Sequence, residues 1–127
     1  MKLVIYNGVD HKLSERDWKR ILNRFDARRA RLNAFGYYFI RGKSICSTRS
    51  SKCIRCPLSD PHKKTNSCTF LFTKIIGENN MHKLHFYDSG VLWNKECDAD
   101  VRTALAKITA VFYKAKTINK SKKIEFR

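Results

Sequence analysis

The stretch from Ser14 to Phe35 constrains the fold most. Ser14-Glu15-Arg16-Asp17 matches the Ser-x-x-acid pattern of a helix start, with Ser14 as N-cap. Apolar residues then recur at Trp18, Ile21, Leu22, Phe25, Leu32 and Phe35, interrupted at Arg28 and Arg29. That spacing predicts a helix over about 15–34. A helix with one apolar face needs a partner to cover it. A second stripe at Val101, Leu105, Ile108, Val111 and Phe112, capped by Asp98 or Asp100, predicts another helix.

Between and around these stripes the chain is β-rich. Lys2–Tyr6 reads as a first strand ended by the turn "NGVD", and Tyr37–Gly42 as a second. "CTFLFTKII" and "MHKLHFYD" flank "GENN" and predict a hairpin; "SGVLWN" adds a short strand. "TINKSKKIEFR" is either a final strand or a basic tail. The order predicts a single α+β domain over 1–127: a small, mostly antiparallel sheet, two packed helices, a metal-bound cysteine loop at 44–68, and a basic tail at 114–127.

Charge narrows the partner. The 127 residues carry 27 Lys and Arg against 11 Asp and Glu, a formal net charge of +16. Residues 12–31 hold eight basic and three acidic side chains, 41–64 hold seven and one, and 114–127 hold six and one. Residues 65–113 balance at five of each. Excess charge gathered in three segments points to a polyanion, and nucleic acid, DNA or RNA, is the expected partner. Arg16, Arg20, Arg24 and Arg28 stand four apart and Arg31 continues the row. A solvated helix face usually mixes signs, whereas a uniform Arg row repels itself unless an anion lies along it. The row is therefore a predicted phosphate-binding face. No apolar run approaches a membrane span and "MKLVIYNGVDH" lacks a signal core, so an intracellular location without membrane contact is the expectation.

Four of the five cysteines lie between Ser44 and Cys68. In a reducing compartment such clustering favours metal ligation over disulfides. Cys53-Ile-Arg-Cys56 places two thiolates on one tight turn, and Cys46 can fold back onto it. Cys97 stands apart and reads as a spare thiol or a distant fourth ligand.

"ICSTRSSKCIRCPL" resembles the iron–sulfur loop of the endonuclease III and adenine-mismatch glycosylase family, Cys-x6-Cys-x2-Cys-x5-Cys, in which Pro-Leu often follows the third cysteine. Cys46, Cys53 and Cys56 match the first three ligands, and Pro57-Leu58 the following pair. The fourth position falls on His62, and Cys68 comes six residues later. The resemblance covers residues 45–62. The closely spaced glycines of that family's helix-hairpin-helix are absent, and no Lys or Asp aligns with a catalytic position.

Two closures are open: Cys46/Cys53/Cys56/Cys68, favoured because iron selects thiolate, or the same three cysteines with His62. The implied cofactor is a [4Fe–4S] cluster, with Zn2+ as the alternative. In the resembling family this loop presents cations to the DNA backbone, and here Arg49, Lys52, Arg55, Lys63 and Lys64 lie between or beside the ligands.

Catalytic signatures are lacking. His82 and His85, three apart on an expected strand, face opposite ways, and the carboxylates Glu96, Asp98 and Asp100 are explained by a helix start. There is no Walker loop, nucleophile elbow or Rossmann fingerprint. Base stacking could fall to Tyr37, Tyr38, Tyr87 or Trp93. The expected function is nucleic-acid binding with a metal centre fixing a basic loop. A small nucleic-acid-processing enzyme, or an inhibitor or accessory module of a nucleic-acid machine with structural zinc, is the alternative.

Overall fold

The computed structural model describes residues 1–45, 56–59 and 69–118. Cys46, Cys53, Cys68, His62, Arg49, Lys52, Arg55, Lys63, Lys64 and the end of the basic tail from 119 lie outside the described residues. The fold is α+β, with two antiparallel sheets.

Strand β1 (Lys2–Tyr6) turns through Asn7 and Gly8 into β2 (Val9–Leu13). Both turn residues have positive φ, 49° and 77°, the two-residue geometry that matches strand twist. Tyr6 pairs with Val9 and Val4 with His11. Strand β7 (Lys116–Thr117) pairs with the other edge of β1, giving the order β2-β1-β7.

Helix α1 spans Glu15–Arg24, and Ser14 caps it as expected, its hydroxyl accepting from the Asp17 amide at 3.1 Å. The helix stops ten residues short of the expected end. Phe25 closes it, and Asp26 then caps a separate 3-10 turn, Ala27–Arg29, by accepting from the Arg28 amide. A carboxylate that caps a new turn competes with continuing the old helix. Leu32 and Phe35 therefore belong to a hairpin: β3 (Arg31–Leu32) pairs with β4 (Tyr37–Arg41).

The expected hairpin around "GENN" is a pair of helices instead, α2 (Phe70–Ile76) and α3 (Glu78–Met81), joined at Gly77 with φ 82°. Leu71, Phe72 and Ile76 share the buried side of α2, so packing overrides the β-propensity of its Phe, Thr and Ile residues. The real hairpin comes next: β5 (His85–Tyr87) and β6 (Gly90–Asn94). Strand β6 also pairs along β4, so the second sheet runs β3-β4-β6-β5.

Helix α4 (Asp98–Tyr113) buries Val101, Ala104, Leu105, Ile108 and Phe112, as its stripe implied. Its N-cap is Cys97, without a side-chain capping bond, and not Asp98 or Asp100. It packs against α1, α2, β1 and β6, joining both sheets over one core. Phe25, Phe72, Phe86 and Phe112 meet there; Phe25 stands edge-on to Phe72 at 4.7 Å between centroids. Two tryptophans tie elements by their indole N–H groups, Trp18 to the Phe112 carbonyl at 2.7 Å and buried Trp93 to Asp98 at 3.1 Å.

Gly90 is where the second sheet is tightest. A Cβ there would stand 2.1 Å from the Ile40 carbonyl oxygen and 2.6 Å from Cζ of Phe39. Gly90→Ala is expected to destabilise the protein by about 1–3 kcal/mol through overpacking. Urea unfolding checks this as a lowered midpoint with an unchanged slope.

Candidate functional site

The roots of the cysteine segment meet around one cavity of about 190 Å³. Its floor is apolar, with Ile21, Phe25, Ile45, Leu58, Phe72 and Phe86. Arg20, Arg24, Lys43 and Asp88 stand at its wall, together with Cys56 and Thr69. Ile45 directly precedes Cys46, and Thr69 directly follows Cys68. Described residues bordering or carrying three of the four clustered cysteines thus line the same space.

Each root is pinned by the fold. Beyond β4, the Gly42 amide donates to the Ser89 carbonyl at 2.8 Å and the Ser44 amide to that of Asp88 at 3.2 Å. Cys56, 7% exposed, begins a tight turn in which Ser59 donates to its carbonyl through both the amide, at 3.0 Å, and the hydroxyl, at 2.7 Å. The Leu71 amide of α2 donates to the Leu58 carbonyl at 3.1 Å. On the other side of the turn, His11 Nδ1 lies 2.6 Å from the Pro57 carbonyl oxygen.

Two polar atoms in this region are buried without a hydrogen-bond partner: Nε2 of His11 and Nη1 of Arg20. One can offer a lone pair and the other an N–H. Both suit a thiolate-bound metal, which accepts lone pairs at the ion and hydrogen bonds at sulfur. Among the described residues, no three of His, Cys, Asp and Glu gather as a metal group. Cys97 is half-buried against the core at the start of α4. Among the described residues, His11 and Cys56 are the side chains here whose chemistry would suit a metal.

The Arg row does not form one phosphate-facing surface. Arg16 is exposed and Arg20 half-buried against the cavity, while Arg24 is 6% exposed. Arg24 donates to three carbonyls: Gly42 at 2.8 Å, Gly90 at 3.1 Å, and Tyr87. The row descends into the protein because the β5–β6 turn covers the last turn of α1. Arg28 lies on the 3-10 turn and is paired with Asp26 at 2.9 Å. The Arg28 side-chain hydrogen bond is the main cause holding the Asp26 carboxyl below its ordinary range. Arg31 is exposed on β3.

The other candidates are dispersed. His82 and His85 are exposed, and Asp88 accepts from the Ser44 hydroxyl at 3.3 Å. Asp98 takes Trp93 and Arg102, and Asp100 takes Lys83 at 2.8 Å. Trp93 is fully buried and stacks on half-buried Tyr38, whose other neighbour is the Arg102 guanidinium at 5.0 Å; Tyr87 is exposed. Phe35, expected on a helix stripe, is 86% exposed at the β3–β4 tip. Asn33 holds that tip by accepting from the Phe35 and Tyr37 amides at 2.9 and 3.0 Å, and Gly36 supplies φ 83°.

No family model, curated protein or solved structure matches the chain. Among the described residues, no helix is long and apolar enough to cross a membrane.

The contrast between Arg24 and Arg16 is measurable. Arg24→Gln strands buried carbonyls and should cost about 2–4 kcal/mol of stability, whereas Arg16→Gln should leave the urea midpoint unchanged within about 0.5 kcal/mol.

Proposed function

We propose that this protein binds nucleic acid through the phosphate backbone, and that a cysteine-ligated metal centre holds the basic segment between 44 and 68 in place. The observation that carries this reading is the charge. The chain has a formal net charge of +16, and Arg16, Lys19, Arg31, Arg41 and Lys43 are exposed. Arg49, Lys52, Arg55, Lys63 and Lys64 add to them between or beside the cysteines. Each phosphate neutralised releases condensed counterions, which makes binding strong at low salt and steeply salt dependent.

The metal's part is to order the segment. Holding several like charges close together costs conformational entropy and repulsion, and a bound ion supplies folding free energy locally. The convergence of Ile45, Cys56 and Thr69 on one cavity supports this role for Cys46, Cys53, Cys56 and Cys68. An iron–sulfur cluster and zinc both suit such ligands, the one absorbing broadly near ~400 nm and the other colourless. Phe35, presented by a pinned turn between Arg31 and Arg41, would add a stacking surface for an unpaired base. The reading places the protein inside the cell, where thiols stay reduced.

Two measurements test this reading. Fluorescence anisotropy with duplex and single-stranded oligonucleotides across a salt series should give log K falling linearly with log salt. Arg16→Glu with Lys19→Glu should flatten that slope by roughly two units for two lost phosphate contacts. Salt-independent or unchanged affinity would remove the proposal. Phe35→Ala should weaken single-strand binding by about 1–3 kcal/mol while leaving duplex binding and the urea midpoint in place.

A further inference from the structure

We infer that the outward face of the sheet β3-β4-β6-β5 is a stacking platform for unpaired bases, so that the nucleic acid taken there is single-stranded. The inference rests on the nucleic-acid reading above and narrows its substrate.

Register sorts the side chains of this sheet onto two faces. Residues directly opposite one another share a face, and successive residues along a strand alternate. Leu32, Tyr38 and Trp93 form one row, and Ile40, Val91 and Phe86 the next. Those rows look toward the core: Ile40, Val91 and Trp93 are fully buried, and Arg102 of α4 lies over the Tyr38 ring. The opposite face holds Arg31, Phe39, Leu92 and His85 in one row across all four strands. Beside that row, Tyr37 stands opposite Asn94, and Arg41 opposite Gly90 and Tyr87.

An antiparallel sheet with one solvated face normally carries polar side chains on it. This face carries rings. Tyr87 is 52% exposed, and Tyr37 and Phe39 are half-buried. Tyr37 and Phe39 are two positions apart along β4, about 7 Å in an extended strand. Gly90 makes room for the platform. A Cβ there would meet Cζ of Phe39 at 2.6 Å, so the far edge of that ring reaches over β6 where a side chain is missing.

Charge selects the occupant. Arg31 lies opposite Phe39 and Arg41 two positions beyond it; both are exposed, and no strand residue on this face is a carboxylate. Asp88, which follows Tyr87, accepts from the Ser44 hydroxyl at 3.3 Å. Rings beside guanidinium groups match a base and its phosphate, the first by stacking and the second by charge-assisted hydrogen bonds. A duplex keeps its base faces inside the helical stack, whereas an unpaired strand offers them to a sheet.

Photo-crosslinking on the full wild-type chain tests this first. Oligo(U) and oligo(dT) of about 12 nucleotides, each carrying iodouracil, are irradiated with the protein and the adducts mapped by mass spectrometry. Adducts on Tyr37, Phe39 or Tyr87 are expected, and the strand that reacts identifies the sugar. Adducts confined to residues off this face, Phe35 included, would overturn the inference.

Two variants give the energetic test. Tyr87→Ala and Phe39→Leu should each weaken binding of the reacting strand roughly 5- to 150-fold, the loss of one stacked base. Both keep Arg31 and Arg41, so duplex affinity and the salt slope should stay at their wild-type values. Single-strand affinity unchanged in both folded variants would overturn the inference and leave phosphate binding standing. Wild-type affinity that is salt independent for single strands and duplexes alike would remove the nucleic-acid reading itself.

Discussion

The Arg24 guanidinium is the contact on which the rest of the arrangement depends. A planar fork of fixed donors reaches from the last turn of α1 to carbonyls on Gly42, Tyr87 and Gly90. Those carbonyls lie just past β4 and on both sides of the β5–β6 turn. One side chain thus fixes the angle between a helix and the ends of three strands. The cavity wall is built from those same ends, since Arg20, Arg24, Tyr87 and Asp88 line it beside Cys56. A flexible ammonium in place of the fork would hold fewer carbonyls and leave that wall loosely placed.

Much of the fold was legible where a period and a boundary signal agreed. Ser14 and the stripe through Phe25 define α1, and the stripe from Val101 to Phe112 defines α4, because each has one buried face, although only the start of α1 was placed correctly. Prediction failed where a period continued by accident. Leu32 and Phe35 extend the helical spacing beyond Phe25, but no helical turn links them, since Asp26 starts a new one. In 68–76, Phe, Thr and Ile suggested a strand, while Leu71, Phe72, Ile75 and Ile76 followed by Gly77 carried a helical signal with its terminator.

The candidate site was legible in its ligand types and illegible in its geometry. Cysteine spacing proposes donors in 46–68 but says nothing of which described elements meet the ends of that segment. His11, thirty-five positions before Cys46, was not singled out, although it is buried and its Nδ1 lies 2.6 Å from the Pro57 carbonyl oxygen. One signal could have found it: in "VDHKL", alternation puts His11 on the face of Val9 and Leu13, and Leu13 is fully buried. The Arg row was misjudged for the converse reason. Spacing of four sets a common side of a helix, but what covers each turn is decided by distant segments, here the β5–β6 turn.

These placements bear on what a metal would contribute. The core runs from Val4 to Phe112 through both sheets and helices α1, α2 and α4, and Cys56 is the one clustered cysteine among its buried described residues. Ile45, the Cys56–Ser59 turn and Thr69 are already held by backbone bonds and burial. Closing a loop between fixed ends costs little more as it lengthens, about 0.6 kcal/mol for each doubling. The fold has therefore met most of the closure cost before any ion binds. On the proposed reading, binding free energy would be left to order the charged residues between the cysteines, where repulsion opposes order. On that reading two tasks would be separate: the α+β core would supply stability, and the cysteine segment would present charge. Exchange of the ion would then act on the second task first, because the indole hydrogen bonds of Trp18 to Phe112 and of Trp93 to Asp98 that help hold the first are made without the clustered cysteines.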